Sequence, residues 1–272
     1  LLVAYLEDSN PKTRAYIGMA LRRFAEDSPA AVGAHRADLG TAISDEDPRV
    51  RQHIVGTIGL LAEQYPDVVE TYSEECSSLL EGNESEVRKT AAWALAMFAE
   101  TSPSALESRT DRFVAQLTDP HEDVREFTVQ TLAAIAEVSP ECVAPYADVL
   151  HHHLTDPAPD VPRWVSVIFA RLVDSHPAAV APASDDLIDL LNTDDGIVRH
   201  NALVVLGGIS QDESSSVEAG IDFLIDRLEA GDEEQCTAAR ALAALVSYAP
   251  ILLECRHPQL VAALSDGLPD AQ

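Results

Sequence analysis

The sequence predicts an all-α fold, a right-handed α-solenoid of about seven helical-hairpin repeats with a 37-residue period. Three observations predict it. The apolar residues Leu6, Ile43, Leu80, Leu117, Leu154, Leu191 and Leu228 recur at intervals of 37, and Leu264 follows after 36. Eight residues on, an arginine recurs as Arg14, Arg51, Arg88, Arg125 and Arg199, with Pro162 and Cys236 in its place in two copies. A proline recurs as Pro29, Pro66, Pro103, Pro140 and Pro177 and lapses at Ser214. Three columns in one register mark a repeat array, with copies opening near residues 6, 43, 80, 117, 154, 191 and 228.

Each copy opens on a turn that leads into the second helix of a hairpin. Asn10-Pro11 and Asp47-Pro48 supply an N-cap followed by proline at the first helical position. At 100° per residue, the columns of residues 13, 17, 20, 21 and 24 then fall on one helix face. In copy three these are Val87, Ala91, Ala94, Leu95 and Phe98, all apolar. Ser139-Pro140 and its equivalents close that helix and open the first helix of the next hairpin. Its pattern is weaker: one column is Val32, Val69, Leu106, Val143, Val180 and Val217, the other Leu39, Cys76, Phe113, Leu150, Leu187 and Leu224. Pro145 and Pro182 fall inside it, which predicts a kink or late start in copies four and five. In copy five Pro162 also pushes Val161 out of the helical region, so the second helix should start near Asp160 to Pro162, about a turn late, with an altered stacking angle.

One hairpin cannot bury its apolar face alone, so residues 1–272 read as a single elongated domain rather than two. The chain opens with Leu1-Leu2 where a first helix should already be under way, and it reads as a fragment of a longer protein.

The turn with Asp119, then Val124-Arg125, and the small-residue run Leu132-Ala133-Ala134 resemble HEAT repeats of the HEAT/armadillo superfamily. The resemblance spans residues 6 to 264. It implies a ladder of turn aspartates and helix arginines between copies, here Asp8, Asp45, Asp119 and Asp156 with Arg14, Arg51, Arg88, Arg125 and Arg199. Gly82 and Thr193 interrupt the acidic column. It also implies a scaffold or adaptor that binds macromolecules along a concave side lined by the second helices. Some HEAT proteins are DNA glycosylases, lyases or hydroxylases. That catalytic alternative would need ligands converging from facing repeats.

Composition narrows the partners. The net charge is −28, from 46 acidic against 18 basic residues, and Lys12 and Lys89 are the only lysines. Such an excess of acid with lysine nearly eliminated is the habit of proteins that live in molar salt, where the Debye length falls to about 3 Å and self-repulsion is screened. Phosphate-backbone binding needs clustered Lys and Arg, and the arginines here sit mostly in the ladder column. No apolar run approaches the ~20 residues that span a bilayer. Neither nucleic acid nor membrane is an expected partner. Cys76, Cys142, Cys236 and Cys255 form no CxxC pair, which fits a reduced, cytoplasmic setting.

No catalytic residue, metal ligand or cofactor is expected. His151-His152-His153 are consecutive on a helix and point about 100° apart, so they cannot converge on one ion. His121-Glu122 is a lone dyad, whereas iron-binding HEAT hydroxylases use several in opposite repeats. Arg88 with Asp111 or Glu86 would be an ordinary surface ion cluster. What rises above background is a band on the second helices, 100–160° from the core face. It comprises Tyr16, Met19, Leu60, Trp93, Met97, Phe127 and Trp164. Two readings stay open: a ridge that binds a protein or peptide partner, or filling for the seam between neighbouring second helices.

The salt reading has a direct test by circular dichroism. Helix should be lost, or the thermal midpoint sharply lowered, between about 2 M and 0.1 M KCl as the Debye length grows to about 10 Å. An unchanged melting curve across that range would sink it.

Overall fold

A computed structural model describes residues 2–191 and 193–209, together with Ile225 and Leu242. The copies opening at Leu228 and Leu264 lie outside the described residues. No strand occurs among those described. After a 3-10 turn at Val3–Glu7, copy one supplies α1 (Pro11–Asp27), α2 (Pro29–Gly33) and a 3-10 turn at Arg36–Leu39. Copy two supplies α3 (Pro48–Leu61) and α4 (Asp67–Leu79). Copy three supplies α5 (Ser85–Thr101), a 3-10 stretch at Pro103–Arg109 and α6 (Thr110–Gln116). Copy four supplies α7 (Glu122–Val138), α8 (Pro140–Val143), a 3-10 turn at Ala144–Tyr146 and α9 (Ala147–His151). Copy five supplies α10 (Asp160–Leu172), α11 (Pro177–Val180), a 3-10 turn at Ala181–Ala183 and α12 (Ser184–Leu190), and α13 (Gly196–Ile209) begins copy six.

The chain divides into two compact units, Leu1–Cys142 and Val143–Gln272. In the first, α1, α3, α5 and α7 pack side by side in chain order, while α4 backs α5 and α6 backs α7. In the second, α10 packs on α13 and α12 backs α13. These are the stacked helical hairpins of an α-solenoid, in which each repeat buries its neighbours' apolar face. The expected core face of copy three is buried throughout: Val87, Ala91, Ala94, Leu95 and Phe98. So are the first-helix residues Leu39, Cys76, Phe113, Leu150 and Leu187.

Two expectations change. Helix interruption at Pro145 and Pro182 occurs as expected, but copies one and three break too, without an internal proline, and among the described residues only α4 runs unbroken. Where those helices break, an arginine takes a freed carbonyl: Arg36 donates to Gly33 O and Arg109 to Ala105 O. An exposed helix end satisfied this way needs no proline to form. The delayed start of copy five is one residue rather than a turn. α10 begins at Asp160, and Pro162 fits within its first turn, where no backbone N–H is needed.

Between copies one and two the packing is close. A Cβ on Gly33 would lie 2.1 Å from Tyr65 Cε2, and the Arg36 guanidinium stands 4.9 Å above the same ring. Gly33→Ala should therefore cost about 1–3 kcal/mol in urea unfolding, as overpacking does. Gly196→Ala, whose new atom would meet only Arg199 Nη2 at 3.9 Å, should stay within about 0.5 kcal/mol. Equal behaviour of the two variants would contradict this account of the seam.

Candidate functional site

The turn before each second helix is built from its own side chains. Asp8, Asp45, Asp119 and Asp156 each accept, through Oδ1, the backbone N–H two residues on, at 2.8–2.9 Å. Thr193 takes the same role through its hydroxyl, from Asp195 N. These local bonds hold the chain in a turn and set the entry of the helix.

The ladder arginine locks that turn from the helix side. Nη1 of Arg14, Arg51, Arg88, Arg125 and Arg199 donates to the carbonyl six residues earlier, that of Asp8, Asp45, Gly82, Asp119 and Thr193, at 2.7–2.9 Å. Because the acceptor is backbone, the residue there is free to change. The rest of the guanidinium reaches the next copy. Arg14 holds Asp45 through Nε at 2.7 Å and Nη2 at 2.9 Å, and Arg88 holds Asp119 through Nε at 2.7 Å. These are fork-shaped, charge-assisted pairs in which both partners are largely buried.

The gaps in the acidic column are filled from two residues on. Gly82 offers no carboxylate, and Arg51 pairs with Glu84 at 3.1 Å. Thr193 offers none either, and Asp195 supplies one. Its partner is Arg163, the neighbour of Pro162, at 2.9 Å. Burial pushes the Asp119 carboxyl up, but Arg88 and the His121 N–H outweigh it and leave it below its ordinary 3.8. In Asp195 burial is likewise overcome, by the Val198 and Ile197 N–H groups and Arg163. The Asp45 hydrogen bond raises the Arg14 guanidinium further above its already high value. Arg88 turns to Asp119, while Glu86 is taken by Lys89.

The aromatic band lies where second helices meet. The column of residue 16 faces the preceding copy's column 18: His53 lies against Gly18, and Asn201 donates to Ser166 Oγ at 3.0 Å. The column of residue 19 faces column 22. The Trp93 ring covers Gly59, where a Cβ would come within 2.7 Å, and Gly56 lies under Arg22. Arg22 also stands 5.9 Å over the Trp93 ring. Leu60, Trp93, Met97, Phe127 and Trp164 are half-buried, and Tyr16 and Met19 are exposed. The His53 Nδ1 has no hydrogen-bond partner, and burial, then Arg22 and Arg49, lower its pKa.

The first helices carry a second set of links between copies. Arg36 pairs with Asp67 at 2.7 Å, and Glu74 accepts from both Arg109 and Arg112. Glu107 accepts from the Ser139 hydroxyl, and His151 bonds Asp186. Their separations of 31–38 residues scatter around the period, so no column marks them. Of the histidine triplet, His151 turns to Asp186 and stacks on His152, while His153 faces Asp156. Among the described residues no three His, Cys, Asp or Glu side chains converge as metal ligands. Cys76 and Cys142 are free thiols, both pushed up by burial; Cys236 and Cys255 lie outside the described residues.

Residues 85–135 match the family model of the HEAT-like repeat. That stretch holds α5, α6, most of α7 and the Arg88–Asp119 pair. No curated protein matches the chain. The crystal structure of one engineered protein aligns with a TM-score of 0.73 at 24% identity, over 96% of this chain and 70% of that one. A second engineered protein aligns at 0.52 and 22% identity, over 91% and 96% of the two chains. These likenesses show the fold alone.

The forward pair gives a pH prediction. A carboxyl depressed in the folded state stabilises above its unfolded value, and that contribution is lost as pH falls through the folded one. For Asp119 the window therefore lies below about pH 4. Asp119→Asn should cost about 2 kcal/mol at pH 7, as loss of a charged hydrogen bond does. It should also lose less further stability than the parent between pH 5 and 3. Parallel pH profiles for the two proteins would refute the assignment.

Proposed function

We propose that this protein is a non-catalytic scaffold that binds a protein or peptide along the face lined by its second helices. The observation that carries it is the band itself. Leu60, Trp93, Met97 and Phe127 follow one another across α3, α5 and α7 with part of each side chain open, and α1 adds the exposed Tyr16 and Met19. Side-by-side helices lie about 10 Å apart, so an extended segment would meet one such residue roughly every three of its own. Aromatic and methionine side chains set in a partly desolvated seam are the type of group that dominates binding energy. The acidic surface and the scarcity of lysine support a protein that works in high salt in the cytoplasm, where an apolar strip is favoured over charge for recognition.

Trp93→Ala, Phe127→Ala and the double variant provide the test. Each should keep its helix content, and Trp93→Ala should cost about 2 kcal/mol of stability because the ring leaves the Gly59 surface. Partners cross-linked to the parent in molar KCl, identified by mass spectrometry and then titrated singly, should bind the double variant at least about 30-fold more weakly. Undiminished affinity would remove the band from the binding site.

A further inference from the structure

Arg22 stands apart from the other arginines of the first two copies. Arg14, Arg23, Arg36, Arg49 and Arg51 each hold an acidic side chain at 2.6–3.1 Å. Arg22 has Glu26 at 3.8 Å, beyond hydrogen-bond reach, and Glu26 is already taken by Arg23 at 2.8 Å. Its place is set by α3, toward which it turns from α1. Gly56 has no side chain, and the guanidinium lies on the bare helix there: a Cβ would come within 3.0 Å of Cζ, Nε and Nη1. Beyond it stands the Trp93 ring of α5, 5.9 Å away. One side chain thus spans three second helices. One turn back along α3 from Gly56 is His53, and a turn before that is Arg49, at spacings of three and four that share a helix face. The His53 Nδ1 lacks a partner, and burial, with Arg22 and Arg49, favours its neutral form. An apolar side chain would cover Gly56 as well. What the guanidinium adds is N–H donors, and among the described residues they meet no carboxylate at hydrogen-bond distance.

We propose that Arg22, with the open His53 Nδ1 beside it, receives the carboxylate of an aspartate or glutamate on an extended peptide of the partner. An apolar side chain two residues further along that peptide lies on the open edge of Trp93. This deepens the preceding reading and rests on it, since the peptide is the one that runs along the second-helix face. Spacing fixes the pattern: alternate side chains of an extended strand share a face about 6.6 Å apart, close to the 5.9 Å between Arg22 and the Trp93 ring. A basic segment fits poorly, because it would set a cation against Arg22 and leave these donors unused. The net charge of −28 does not forbid an acidic one. In molar salt, repulsion between exposed charges fades within about 3 Å, whereas a partly buried contact pair is screened much less.

The probe is a displayed library of random peptides about twelve residues long, enough to reach from α1 to α7, selected on the parent in molar KCl. Peptides whose capture needs Trp93 and Phe127 should carry Asp or Glu two residues from an apolar side chain. The leading one, made synthetically, should bind Arg22→Gln at least about tenfold more weakly than the parent, as loss of a charged hydrogen bond does. With its acid replaced by the amide, it should bind the two proteins equally. Arg112→Gln makes the same charge change on a first helix and should leave the affinity as it was, with helix content by circular dichroism the same in all three proteins. Suppose instead that peptides needing Trp93 and Phe127 carry no acid, carry Lys or Arg in its place, bind Arg22→Gln as tightly as the parent, or lose as much to Arg112→Gln. Any of these would overturn this proposal and leave the preceding one standing. Peptides indifferent to Trp93→Ala and Phe127→Ala, or none selected at all, would remove the second-helix face from binding and this site with it.

Discussion

The arginine eight residues after the opening apolar residue is the interaction on which the rest of the structure depends. It does two things with one planar group. Nη1 ties the helix to its own turn through a backbone carbonyl, and the other edge reaches a carboxylate in the next copy. The first bond fixes how a helix leaves its turn, the second how one hairpin sits on the next. A lysine could make one of these contacts as a point charge, but not both with a defined plane. A chain with nearly all its lysine gone and its arginine retained keeps the cation whose geometry its architecture uses.

The cores around this ladder are built from small side chains. Ala91, Ala92, Ala94 and Ala96 in α5 are buried, as are Gly56, Thr57 and Gly59 in α3. Small residues let helix axes approach closely, and the larger groups then fill what remains: Tyr65 over Gly33, Trp93 over Gly59, Val173 against Gly208. Close packing of this type leaves little slack.

Most of the fold was legible because the period is long and regular. The core columns, the second-helix boundaries and the arginines could be read from one chain because each is tied to a single position in the register. The acid partners were harder. Gly82 and Thr193 read as gaps, yet Glu84 and Asp195 occupy the N-cap position two residues on and reach an arginine from there. A column shows which residue recurs, not which atom arrives. The breaks in the first helices of copies one and three escaped for a related reason: Arg36 and Arg109 stabilise them through carbonyls, which carry no sequence signature. The aromatic band was legible as a pattern, but its partial burial depends on what lies opposite, Gly18 or Gly59 in one copy and a larger residue in another. Periodicity says nothing about that second surface.

The two-residue shift in the source of the carboxylate has a consequence for how such arrays change over time. In copy three Glu84, two residues after Gly82, neutralises Arg51, so an acid can appear at one of these positions before it disappears at the other and the arginine keeps a partner throughout. The copies can thus drift apart in sequence while their stacking stays the same. Similarity between repeats then fades sooner than the architecture does. In this chain the family model matches a stretch of 51 residues that holds the pair of Arg88 with Asp119.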